Sequence, residues 1–418
     1  MNKIDQDAVT FDLPFLTDDL PGIGGILKKR PEDFVVEEIP AYEFSGSGTH
    51  VLAQIEKTGI PTLEAIRHIA SALGVARRQV GYAGLKDARA VTRQWISIEH
   101  IDPEKIQQMS LAQVKVIQTT RHTNKLKIGH LKGNRFIIRI RQFELPREQA
   151  LARCEKITHF LIRHGTPNYF GRQRFGHRHD GHLLGGAIIE RCPDKFLDMF
   201  LGMPVADEPP IAIEARRLYD QNRYSEALDT WPRQYHDQRR ALKSLIKTND
   251  KAHAFNVIDK ALKKLFISAF QSHLFNQVIV ARLPGLDQLL VGDMAYKHEN
   301  GACFRVEDAA AEQSRCDALE ISPTGPLYGY RMTELTGPAG DIENGVLAAA
   351  HLQREDFRRM GYYRIKGARR PLRFYPRHLM ISTGDDEHDH YLQLCFELDP
   401  GCYATNFIRE ITKNDTVL

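Results

Sequence analysis

Hydrophobic positions repeat with two different periods along the first third of the chain. Thr49 to Glu56 (THVLAQIE) alternates, with Val51, Ala53 and Ile55 on one face, which predicts a strand. In TGIPTLEAIRHIASALGV, Leu63, Ile66, Ile69, Ala70 and Leu73 recur at helical spacing; Pro61 suits the first turn and Gly74 the end. Val91 to Ile98 (VTRQWISI) is strand-like, its bulk supplied by Val91, Thr92, Trp95, Ile96 and Ile98. Phe136 to Arg141 (FIIRIR) alternates again: Phe136, Ile138 and Ile140 face one way, Ile137, Arg139 and Arg141 the other. Arg147 to His164 follows as an amphipathic helix.

After about residue 176 the texture changes. Acidic, proline-containing linkers (ADEPPIAIE) and helical stretches (RRALKSLI, DKALKKLFISAFQSHLFNQVIVARL) run to about 285, and a loop-rich, turn-rich stretch continues to about 345. Strands return at RFYPRHLMIST and YLQLCFELD, with GDDEHDH between them as a hairpin loop. The pattern predicts a split domain: a sheet built from both ends, 1–176 and 350–418, interrupted by a mainly helical insertion, 177–349.

A length of 418 residues fits two domains, and 42% hydrophobic with 26% charged residues is the composition of a globular protein. The net charge of +4 permits an RNA partner without establishing one, since local clustering decides. None of the six cysteines forms a C-x-x-C pair, which argues against zinc ribbons, thioredoxin-like chemistry and a disulfide framework. The start, MNKIDQDAVTFDLPFL, has no apolar core of a secretory leader. No run approaches the roughly 18 apolar residues of a membrane helix. The expected compartment is the cytoplasm, without membrane attachment.

Chemistry-bearing stretches each have an ordinary reading beside a functional one. In YAGLKDARAVTRQW, Asp87 sits in a glycine-containing turn, where an Asp is ordinarily an Asx-turn acceptor or a cap. Lys86, Arg89 and Arg93 nearby would keep it ionised, as a nucleophile or base must be. RHTNKLKIGHLKGNRFIIRIR interleaves Arg121, Lys125, Lys127, Lys132, Arg135, Arg139 and Arg141 with Phe136: either a solvated basic face or a phosphate-binding stripe with a stacking aromatic. A second basic run, YYRIKGARRPLRFYPRH, also carries aromatics, and the two together favour nucleic acid. NYFGRQRFGHRHDGH holds Arg172 and Arg174; its His177, His179 and His182 have no metal-site spacing and read as a solvated loop. PGIGG lacks the context of a dinucleotide loop, and no Walker loop, G-x-S-x-G or H-E-x-x-H occurs. Neither cofactor nor metal is expected.

Taken together, LKKRPEDFVVEE, YAGLKDARAVTRQW, KLKIGHLKGNRF, NYFGRQRFG, SAFQSHLFNQ and PGCYATNFIRE resemble, in order, the signature blocks of the TruD-type tRNA pseudouridine synthases. Similarity is poorest over roughly 185–265. The resemblance implies an α+β pseudouridine synthase fold, a mixed, largely antiparallel sheet flanked by helices, with the family's inserted domain. It implies a substrate, the uridine at position 13 in the D arm of certain tRNAs; a monomer is expected. It places the catalytic carboxylate on Asp87 and its basic partner on Lys28, and puts Phe34, Asn134 and Phe136 in the base pocket. Tyr403 in PGCYAT stands where the family has Phe, keeping a stacking face and adding a hydroxyl; Arg172 and Arg174 are expected near the RNA backbone. A uridine in folded tRNA must be extruded at a few kcal/mol, of which stacking on an aromatic recovers roughly 1–3 kcal/mol.

Two rival classes share these features. A non-catalytic RNA-binding module or tRNA chaperone could keep the fold, but Asp87 and Lys28 are both intact. An RNA methyltransferase would also need a flipped base and a basic cleft, yet no glycine-rich loop follows a strand to hold a methyl donor.

Overall fold

The structure is a computed structural model that describes residues 13–414. Most of the start read as lacking a secretory leader therefore lies outside the described residues. No described helix is long and apolar enough to cross a membrane. The chain divides into two compact units: one holds 17–166 and 374–414, the other 13–16 and 167–373.

The first unit is built on an eight-stranded mixed sheet. Its strands are β1 (Phe34–Pro40), β2 (His50–Thr58), β3 (Gly81–Tyr82), β4 (Val91–Glu99), β5 (Val114–His122), β6 (Leu131–Arg141), β7 (Arg377–Asp385) and β8 (His390–Leu398). They lie in the order β7-β8-β6-β1-β4-β2-β5, with β3 against β4. Only β1 and β4 pair in parallel. Besides a short helix at Pro103–Gln107, its helices are α1 (Thr62–Ala72), α2 (Arg147–His164) and α3 (Ala404–Thr412). α1 starts after Pro61 and ends before Gly74, whose φ of 67° is open to glycine without steric cost.

One register serves both faces of this sheet. Phe396, Phe136, Val36, Thr92 and Lys57 are successive cross-strand partners from β8 to β2, and so share a face. α1 packs Ile66 and Ile69 on that face against Val51, Ala53 and Ile55, while Phe407 of α3 meets Phe396 edge-on at 5.0 Å. One residue along each strand, on the opposite face, Glu397, Arg135, Glu37, Arg93, Glu56 and Lys115 form a row of alternating charge. Its contacts include Arg135–Glu397 at 2.9 Å and Arg93–Glu56 at 2.8 Å.

β2 occupies the whole of one edge of β4, so β1 and β3 divide the other. β1 pairs with Val91–Arg93 and β3 with Ile96 and Ser97. Between them the Trp95 N–H has no strand partner; it donates to the Glu38 carboxylate at 3.2 Å. Glu38 also meets Lys86 at 3.0 Å, with the two side chains only 1% and 4% exposed. Burial pushes the Glu38 carboxyl above the usual carboxylate range, and Lys86 opposes that rise.

The second unit is mainly helical, centred on the helix Lys260–Arg282. Residues 167–176 and 350–373 fall within it: the Phe170 N–H donates to Asn276 on that helix, and Arg369 pairs with Glu343 at 2.7 Å. The stretch to about 345, expected to be loop-rich and turn-rich, carries three strands of a four-stranded sheet. It runs in the order Ala368–Pro371, Ile321–Leu327, Met294–Lys297, Cys303–Arg305, with helices Ala309–Asp317 and Gly337–Ala349 nearby in sequence. These strands are too short to show a period, and Pro323 and Pro326 inside one of them mask its pattern.

Two substitutions test this packing. Lys86→Met leaves Glu38 buried without its cation and lowers stability by about 3–5 kcal/mol near neutral pH. The native variant then holds a proton on Glu38 that the unfolded chain releases, so the deficit shrinks as pH falls toward the ordinary 4.5. Urea titrations at several pH values measure both effects. In Gly133→Ala the new Cβ would lie 2.4 Å from the Leu398 carbonyl oxygen, so β6 and β8 must part. A loss of about 1–3 kcal/mol is expected, read as a lower urea midpoint at unchanged m.

Candidate active site

The eight-residue loop from β3 to β4 (83–90) carries Asp87. It is pinned at three places. The Ala83 carbonyl accepts from the Gly129 N–H at 2.8 Å, the Lys86 N–H donates to Thr62 Oγ1 at 2.8 Å, and the Asp87 carbonyl accepts from Lys57 Nζ at 2.7 Å. Thr62 in turn donates to Gln94 at 2.9 Å, so α1's first residue couples the loop to β4.

Lys28 Nζ donates to Asp87 Oδ2 at 2.8 Å, although 59 residues separate the two in sequence. Lys28 adopts a left-handed backbone (φ 53°), and its ammonium lies 4.2 Å from the centroid of the Phe34 ring. Phe34 meets Phe136 edge-on at 6.2 Å, and Phe136 stacks on Phe396 at 5.5 Å. A continuous line of contacts thus runs from the Asp87 carboxylate through Lys28 to three phenylalanines. Asp87 is 41% exposed, whereas Phe34 and Phe136 are buried, at 2% and 8%.

Asn134 joins from the next row of the same face, paired across strands with Glu38 and Leu398. Lys86 Nζ donates to Asn134 Oδ1 at 2.6 Å. An ammonium only donates, so the amide oxygen must face it, and the Nδ2–H donors of Asn134 point away from Lys86. Tyr403 lies beyond Leu398, at the start of α3, with 38% of its surface exposed.

Several charges differ from their sequence reading. Lys86 serves Glu38 and Asn134, and Arg93 serves Glu37 and Glu56, so neither is the cation on Asp87. The basic stretch 121–141 is largely absorbed by the fold. Arg141 pairs with Asp33 at 2.7 Å and with Asp386 of the hairpin loop, Arg139 with Asp386, and Arg135 with Glu397. Lys127 and Lys132 remain exposed. In the second run, Arg373 is fully buried against Ser322 and Cys316.

Arg172 and Arg174 belong to the helical unit. Arg174 donates to Ser268 and Ser272 and lies over the Phe170 ring at 5.6 Å, while Arg172 is half-buried in a short 3-10 turn. His177 is exposed, but His182 is buried, stacked on His273 at 4.7 Å. The solvated-loop reading fails there, because the close-packed helix Gly181–Ile189 has already begun.

Lys57, Glu38, Thr62 and Phe396 were not singled out from the sequence. For Lys57 a signal existed: it continues the alternation of Val51, Ala53 and Ile55 into the apolar face. It is fully buried and donates to the carbonyls of Ile60 and Asp87, each at 2.7 Å. Burial pulls its ammonium pKa down to about 8, with the Asp87 charge opposing and Lys86 adding to the fall.

Comparison with known proteins covers the same ground from a different side. The family model for tRNA pseudouridine synthase D (TruD) matches residues 11–411. A tRNA pseudouridine synthase D from Geobacter sp. (strain M21) is 44% identical over 96% of this chain and 99% of its own length. The one from Thermus thermophilus is 37% identical over 96% and 92%. A solved structure from Methanosarcina mazei, assigned to tRNA pseudouridine synthase D, superposes with a TM-score of 0.85 at 29% identity. It covers 99% of this chain and 98% of that one. The mixed sheet is accordingly the pseudouridine synthase fold with an insert domain. This chain belongs to the TruD family of tRNA pseudouridine synthases, isomerases of uridine in tRNA.

Proposed function

We propose that the enzyme isomerises uridine 13 in the D arm of tRNA, with Asp87 as the carboxylate that starts the reaction and no cofactor. The observation that carries this reading is the Lys28–Asp87 pair at 2.8 Å, beside the aromatic line of Phe34, Phe136 and Phe396. Lys28 balances the carboxylate's charge through Oδ2 alone, so Oδ1 stays available to the sugar or base. The N1–C1′ bond breaks, the uracil turns, and C5 bonds to C1′. The proton lost from C5 is matched by one gained at N1, so the net composition is unchanged and no redox partner is needed.

In this reading the turning base is flanked by Phe136 and Tyr403, with Phe34 behind, and Asn134 donates its Nδ2–H to a uracil carbonyl. Arg172 and Arg174 are assigned to the RNA backbone; Arg174 would exchange its serine contacts for a phosphate. The enzyme works as a monomer in the cytoplasm.

Asp87→Asn is expected to abolish pseudouridine formation while tRNA binding persists. Release of tritium from tRNA labelled at uridine C5 measures the first and filter binding the second. Near wild-type release would sink the assignment. Phe136→Ala is expected to lower turnover while the slope of log affinity against log salt stays at the wild-type value, because a stacking face and not a phosphate contact is lost. A changed slope at unchanged turnover counts against that role.

A further inference from the structure

We propose that Lys57 is a positioning residue for this reaction: by bridging the main-chain carbonyls of Asp87 and Ile60, its ammonium fixes the backbone from which the Asp87 carboxylate is presented. The inference rests on the reading of Asp87 given above.

A fully buried lysine is costly, because its charge leaves water. At this position an apolar side chain would continue the face of Val51, Ala53 and Ile55 at no such cost. Nor does Lys57 sit on a carboxylate oxygen as an ordinary ion-pair partner. The Asp87 carboxylate is taken by Lys28, while Lys57 takes the carbonyl of the same residue. Asp87 is thus held at both ends by two lysines from different segments, one on its side chain and one on its main chain.

The second carbonyl explains how the grip is anchored. Ile60 lies in the turn between β2 and α1, the helix whose Thr62 receives the Lys86 N–H. Lys57 therefore ties the Asp87 loop to the framework that already holds the preceding residue. Removing it leaves the Asp87 carbonyl without its donor, so beyond the Lys86 N–H bond to Thr62 only the partly exposed Lys28, on the side chain, still holds Asp87.

The charged groups that face Lys57 are Asp87 and Lys86, both from the loop. Its cross-strand partners, Thr92 on β4 and Val114 on β5, are uncharged. Lys28 and Glu38 stand one contact further away, through Asp87 and Lys86. A neutral amine at Lys57 keeps N–H donors but loses the charge that strengthens both bonds, so the loop loosens at alkaline pH.

The test compares full-length wild-type, Lys57→Met and Asp87→Asn proteins in single-turnover assays on tRNA from pH 6 to about 10, alongside tRNA binding. Lys57→Met is expected to turn over on the order of 10²-fold more slowly, as a misplacement of about 1 Å can cause, with tRNA affinity unchanged. The wild-type rate is expected to decline as pH rises through about 8, a limb that Lys57→Met lacks. If Lys57→Met does not fold, the wild-type profile decides alone: a rate flat through that range overturns the proposal. So does Lys57→Met turning over at the wild-type rate. If Asp87→Asn is inactive and Lys57→Met unimpaired, only this inference falls; if Asp87→Asn remains active, the assignment of Asp87 falls with it.

Discussion

A single cross-strand register governs the sheet-bearing unit. Side chains alternate strictly along a strand, so the register that lines up Phe396, Phe136, Val36, Thr92 and Lys57 also lines up Glu397, Arg135, Glu37, Arg93 and Glu56 behind them. A slip of one residue between any two strands would set charges against the aromatic side and apolar side chains among the charges of the other. Each face therefore enforces the register of its opposite. The parallel step between β1 and β4 sits in the middle of both rows, and its early end leaves the gap that Glu38 fills.

From that gap the charge pattern of the site follows. Lys28, Lys57 and Lys86 gather around two carboxylates, Asp87 and Glu38, and the three cations differ in what they hold. Lys86 answers the buried Glu38, Lys57 answers main-chain oxygen, and Lys28 alone reaches the carboxylate exposed to a substrate. A surplus cation beside a partly open carboxylate suits a polyanionic ligand. The many arginines of β6 contribute little to that field, since glutamates and aspartates already face them.

The strands and helices with clear periods were legible: 91–98, 136–141 and 147–164 fall within elements of the expected type, and 49–56 does so from residue 50 on. β3 was not, because two residues carry no period, yet it is β3 that sends the Asp87 loop across the fork. The ion pairs that take up the β6 arginines were not legible because their partners lie far away in sequence; Arg141 finds Asp386 across 245 residues. Composition along a window cannot reveal such pairings. Asp87 and Lys28 came from ordered motif blocks, not from spacing. Lys57 was within reach of the pattern itself, as a cation on the apolar side of an alternating strand, and Asn134's polarity required the neighbouring ammonium to be seen.

The hairpin that supplies Phe396 has a cost in time. Arg135 and its partner Glu397 are 262 residues apart in the chain, with residues 167–373 of the helical unit encoded between them. During synthesis β6 emerges early, and its edge toward β8 stays open until residues 390–398 are made. The aromatic side of the sheet is therefore finished long after the Asp87 loop has been made. A nascent chain that already contains Lys28 and Asp87 still lacks Phe396 beneath Phe136, so the polar side of this cluster is made long before its aromatic floor.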